Sequence, residues 1–107
     1  MKWDNRKTED LLKVILALKN GKEAKDFLRD LLTEKEILEL GNRWKAARML
    51  DDKIPYAEII KETGLSSTTI ARISKWLKNG KGGYKTMLKR IFNNHHKASS
   101  ISKKRLI

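Results

Sequence analysis

Residues 56–77 read YAEIIKETGLSSTTIARISKWL, two short helical patterns that meet at Gly64. In the first, Ile59 and Ile60 supply the apolar face expected to be buried. Gly64 permits the left-handed backbone that most side chains resist, and Leu65 plugs the corner. Ser66 or Ser67 caps the second helix, where Ile70, Ile73 and Leu77 form one inward stripe at helical spacing. A short helix, a glycine turn and a second helix lying across the first make a helix-turn-helix, placed here between residues 55 and 78.

At about 100° per residue, the side of the second helix opposite that stripe holds Thr68, Arg72 and Lys75, beside the small Ala71. Thr69 and Trp76 flank it, and no acid interrupts it. A polar, basic surface of this kind is what a major-groove recognition helix requires. Arg72 can donate two hydrogen bonds to a guanine edge, while Thr68 and Thr69 can meet phosphates or a thymine methyl. Ser66 and Ser67 stand at the capped N-terminus, where backbone amides attract phosphate. Lys75 and Lys78, with Lys81 and Lys85 beyond them, suit phosphates. The bland alternative is an amphipathic helical hairpin with a solvated basic side. The turn glycine, the apolar spacing and the charge bias together favour double-stranded DNA.

Charge along the chain points the same way. Lys and Arg number 25 against 13 Asp and Glu, for a formal charge of +12 over 107 residues. Up to Lys53 the chain carries 13 basic and 11 acidic residues; from Ile54 onward it carries 12 basic and only 2 acidic, Glu58 and Glu62. Phosphates reward concentrated cations through counterion release. Charge alone does not separate DNA from RNA or an acidic membrane surface.

The remaining sequence reads as all-α, about six helices in one domain over residues 1–94, followed by a basic, flexible tail over 95–107. A first helix starts between Asp4 and Thr8 and stops at Asn20-Gly21; a second covers about Lys22 to Leu32. Thr33-Glu34-Lys35-Glu36 fits a capping box that opens a third helix, with Ile37, Leu40, Trp44 and Ala47 as its stripe and Trp44 as core. Asp51-Asp52-Lys53 ends it, and Pro55 suits the first turn of the fourth. After the helix-turn-helix, Asn79-Gly80-Lys81-Gly82-Gly83 is a loop. A sixth helix from Tyr84 to Asn94 aligns Met87, Leu88, Ile91 and Phe92 on one side.

The first helix is apolar around most of its circumference, through Leu11, Leu12, Val14, Ile15, Leu16, Ala17 and Leu18. Either it inserts centrally or a second copy covers it. A homodimer is favoured, with the first, second and sixth helices at its interface.

Several chemistries are set aside. There is no cysteine for a disulfide, thiolate metal site or nucleophile. His95-His96 lacks the further ligands a metal needs, Asp51-Asp52 reads as a helix stop, and no base activates Ser66 or Ser67. No apolar run reaches the roughly 20 residues of a membrane span, and no secretory signal is visible, so the expected setting is the cytoplasm. The chain reads as a transcriptional regulator, most simply a repressor, and not as an enzyme. Two rivals stay open. One is an RNA-binding module, for which Trp76 and Tyr84 are the aromatic candidates in the basic half; the other is a helical adaptor docking through the first helix.

From Leu32 to Leu77 the chain resembles the tryptophan repressor superfamily, most of all its smaller Trp-repressor-like branch. The matching pieces are Leu31-Leu32-Thr33, Glu39-Leu40-Gly41-Asn42-Arg43, Ile59-Ile60, Glu62-Thr63-Gly64 and Thr69-Ile70-Ala71-Arg72. The spacing from Arg43 to Gly64 is one residue shorter than in the true repressor. The resemblance implies an intertwined all-α homodimer whose recognition helices enter successive major grooves, about 34 Å apart, on a near-palindromic site. It also implies a ligand pocket at Thr33, Arg43 and Arg72. Ile73 and Trp76 stand where the repressor keeps small residues around its ligand, which argues against tryptophan as cofactor and leaves another small effector open. Arg43 and Arg72 serve equally well as DNA or interface residues.

Overall fold

The computed structural model describes residues 2–93, and the expected tail, with His95 and His96, lies outside them. Six helices follow in order: α1 Arg6–Ala17, α2 Gly21–Leu31, α3 Glu34–Asp51, α4 Tyr56–Thr63, α5 Ser67–Asn79 and α6 Gly83–Leu88, which runs into a π-helical turn over Lys89–Asn93. The described residues contain no strand, so the all-α reading stands. The described residues divide into two compact units, the first ending at Glu39 and the second beginning at Leu40.

In the first unit, each helix start is fixed by a side chain. Asn5 accepts from the Thr8 amide at 3.1 Å, and the Thr8 hydroxyl accepts from the Asn5 amide at 2.9 Å, a reciprocal cap on α1. Asn20 was expected to end α1; instead it starts α2, accepting from the Glu23 amide at 2.9 Å. The cap demands extended backbone before it, so α1 stops earlier, at Ala17. Thr33 and Glu36 form the expected capping box of α3, with bonds of 3.1 and 2.9 Å. No residue of α1 or α2 is buried, and Leu12, Val14, Ile15 and Leu16 are exposed, Leu16 to 84%.

The core of the second unit is Ala46 and Ala47 of α3, Ile59 of α4, and Ile70 and Ile73 of α5. Alanines facing isoleucines let α3 come close, and each fully buried isoleucine contributes about 1.5–3 kcal/mol. Met49, Leu50, Ile54, Leu65 and Tyr84 close around them. α3 ends in a Schellman motif. The Ile54 amide reaches the Met49 carbonyl at 2.9 Å and the Lys53 amide the Leu50 carbonyl at 3.0 Å, while Lys53 takes φ 63°, where glycine is usual. Pro55 precedes α4 as its N-cap rather than lying in its first turn.

Three packing expectations change. Ile60 is 38% exposed, because an eight-residue helix turns only one narrow side inward and Ile59 takes it. Leu40 is exposed and Trp44 only half-buried; Ala46 and Ala47 occupy the inward side of α3, and Trp44 instead stacks on Phe92 with ring centroids 6.2 Å apart. The Arg48 guanidinium lies 4.6 Å from the centre of the Phe92 ring. The single sixth helix is a short α6 continued by the π turn, whose wider winding breaks the expected stripe. Leu88 is buried, whereas Met87 and Ile91 are exposed.

Candidate nucleic-acid interface

The turn between α4 and α5 is built from Thr63 and Gly64. The buried Thr63 hydroxyl donates to the Ile59 carbonyl at 2.7 Å and accepts from the Leu65 amide at 3.2 Å. Gly64 takes φ 72° and ψ 4°, and its amide donates to the Ile60 carbonyl at 2.8 Å. A Cβ at Gly64 would meet nothing within 4 Å, so backbone conformation, not space, requires glycine there. α4 is also tied to α3 by the Lys45–Glu62 ion pair at 3.2 Å, a half-exposed contact worth at most about 1 kcal/mol.

Ser66, not Ser67, caps α5: its hydroxyl accepts from the Thr69 amide at 3.1 Å and donates to the Thr69 hydroxyl at 3.0 Å. From that cap the helix divides cleanly. Ile70, Ile73 and Leu77 are buried, while Ser66, Ser67, Thr68, Arg72, Lys75 and Lys78 are all exposed and Thr69 is half-buried. Among the described residues no ion pair engages Arg72, Lys75 or Lys78. The C-terminal end of α5 is equally defined. The Gly80 amide donates to the Trp76 carbonyl at 2.9 Å, and a Cβ on Gly80 would strike that same carbonyl oxygen. Lys85 leans back from α6, its ammonium 3.5 Å from the Lys78 carbonyl, where a cation favours the helix terminus.

The residues implied for a ligand pocket are not gathered in one unit. Thr33 lies in the first, committed to the α3 capping box. Arg43 is half-buried on α3 and Arg72 exposed on α5, both in the second. Ile73 is 2% exposed within the core, as its helix-turn-helix spacing requires. Trp76 is 56% exposed, because Ile73 and Leu77 take the inward side of that turn.

Sequence reasoning passed over Thr63 and the Trp44–Phe92–Arg48 stack. A threonine directly before the turn glycine is the trace the first leaves. The second depends on the π turn, which leaves none.

Comparison with known proteins agrees with this architecture. Residues 6–92 match the Trp repressor protein family. An uncharacterized protein of Bacillus subtilis (strain 168), YerC, is 35% identical over 99 residues, covering 92% of this chain and 95% of its own. The crystal structure of a TrpR-like protein from Eubacterium eligens ATCC 27750 superposes with a TM-score of 0.79 at 38% identity, covering 84% of this chain and 93% of that one. A second crystal structure, from Staphylococcus aureus, gives 0.77 at 34%, covering 84% and 90%. The chain therefore belongs to the Trp repressor family, whose members are DNA-binding regulators and not enzymes.

Proposed function

We propose that this chain is a homodimeric, sequence-specific DNA-binding repressor of the cytoplasm that reads duplex DNA with the outer side of α5. One observation carries the reading: Ile70, Ile73 and Leu77 are held inside, so Thr68, Arg72 and Lys75 stand free on an acid-free surface. Thr68, Thr69 and Arg72 read bases. Ser66, Ser67, Lys75, Lys78 and Lys81 engage phosphates, and Lys85 steadies the end of α5. The exposed leucines and valine of α1 support a second copy as their cover, since leaving such a surface wet forfeits several kcal/mol at ~25 cal/mol per Å². In that dimer residues 1–94 act as one dimerisation and DNA-binding domain, and residues 95–107 add salt-sensitive affinity with little specificity.

Tryptophan is not the effector in this reading, because Ile73 fills the core where an indole would need room. Another small effector is compatible with it.

Selection from random duplexes, with and without tryptophan and a metabolite panel, tests the proposal. It should return a near-palindromic consensus with half-sites about one helical turn apart. Gel shifts at physiological salt should favour that consensus over scrambled duplex by about a thousandfold or more. Equal affinity for every duplex would overturn it, and preference for single-stranded RNA would replace it with an RNA-binding function.

A further inference from the structure

Trp76 is the one large apolar side chain of α5 that faces solvent, 56% exposed, while the other three are buried. It is not placed at random. Thr69, Arg72 and Trp76 stand at i, i+3 and i+7, so they share one side of the helix. The backbone beneath Trp76 is pinned by the Gly80 bond to its carbonyl. Neither Trp76 nor Arg72 takes part in a cation–π contact among the described residues, so the ring and the guanidinium are each available to an outside partner.

Charge decides which partner. Lys75, Lys78 and Lys81 lie within five residues of Trp76, and the sequence holds no Asp or Glu after Glu62. A second copy meeting this surface through its own α5 would set those cations against their like. A polyanion would not, and the apolar groups a duplex offers in its major groove are thymine methyls.

We propose that Trp76 is a specificity-determining residue that packs on a thymine methyl near the base read by Arg72. The inference rests on the DNA-binding reading above and adds a thymine requirement to it. Four helical residues rise about 6 Å, close to two base-pair steps of about 3.4 Å, so the thymine lies within about two base pairs of the guanine met by Arg72.

The test uses the full chain on the selected duplex, replacing each thymine near that guanine singly by deoxyuridine, which removes the methyl alone. Wild type should lose about fourfold in affinity at one such position, the effect of one buried methyl group. Trp76→Ala should bind the thymine and deoxyuridine duplexes equally, Trp76→Phe should keep part of the preference, and Arg72→Ala should keep all of it. Indifference of wild type to every replacement, or full discrimination by Trp76→Ala, would overturn the proposal while leaving DNA binding intact. So would a change in association state of Trp76→Ala without DNA, which would assign the ring to a second copy. Failure to select any preferred duplex would instead end the DNA-binding reading and this inference with it.

Discussion

Replacing Thr63 with valine keeps the size of a buried side chain and removes its hydroxyl. That hydroxyl makes two bonds, donating to the Ile59 carbonyl at 2.7 Å and accepting from the Leu65 amide at 3.2 Å. The two losses are unequal. The Ile59 carbonyl keeps its place in the α4 ladder, so losing its second donor costs about 1 kcal/mol. The Leu65 amide sits in a half-buried corner and donates to the hydroxyl, and leaving it unsatisfied costs about 1–2 kcal/mol. Burying the extra methyl returns about 0.8 kcal/mol. The net destabilisation is about 1–2 kcal/mol, or roughly 5–15 °C in melting temperature for a chain of this length. Urea unfolding of the full chain at one fixed protein concentration measures it, because a dimer's stability depends on concentration. The midpoint should fall with the slope unchanged. Affinity for the selected duplex should also drop, since this corner sets the angle of α5. A valine variant as stable as wild type would show that the hydroxyl does not hold the turn.

Other substitutions separate stability from recognition. Arg72→Ala should leave the melting temperature within about 2 °C, as an exposed residue without an ion pair, yet lower affinity for the selected duplex by about 5- to 150-fold, the equivalent of 1–3 kcal/mol; a gel shift with no loss refutes its role. Gly64→Ala should cost about 1–2 kcal/mol because alanine resists φ 72°, and Gly64→Asn should cost less. Gly80→Ala should fray the end of α5, seen as faster amide exchange from Trp76 onward, because its Cβ meets a backbone oxygen that cannot swing away. Leu16→Glu should shift the chain from dimer to monomer in sedimentation, and an unchanged mass would remove α1 from the interface.

Much of this was legible because it depends on local spacing. The stripe of Ile70, Ile73 and Leu77 required only a helical period, and Gly64 only the rule for left-handed turns. The Thr33–Glu36 box is equally local, three residues apart. Two misreadings have a different cause, since each needed knowledge of what lies across the fold. Ile60 looked as buried as its neighbour Ile59, and only the placement of α3 and α5 decides between them. Trp44 was assigned to the core by its apolar character, but two alanines on α3 sit nearer the isoleucines. Asn20-Gly21 is ambiguous in itself, since the pair can end one helix or begin the next; the 2.9 Å bond to Glu23 settles it. The π turn after Leu88 has no compositional mark, so nothing in the residues foretold that Phe92 would reach Trp44.

The division of charge suits a chain that, as proposed, both pairs with itself and holds DNA. The half up to Lys53 is nearly neutral, 13 basic against 11 acidic residues, and it carries the exposed apolar surface of α1. Two such halves can approach without a Coulomb barrier and gain from removing leucine and valine from water. The remainder carries 12 basic and 2 acidic residues, so a contact between two copies of it would be opposed at low ionic strength, and a phosphate backbone is its natural counterion. The two associations should therefore respond to salt in opposite senses. Raising salt weakens the DNA complex with a slope of about −0.9 per phosphate contact, whereas the dimer, held by apolar surface, should persist or tighten. Measuring both on one sample, by sedimentation and by gel shift from 50 to 300 mM salt, separates them. Dissociation of the dimer in step with the DNA complex would mean that charge, and not the apolar surface of α1, holds the two copies together.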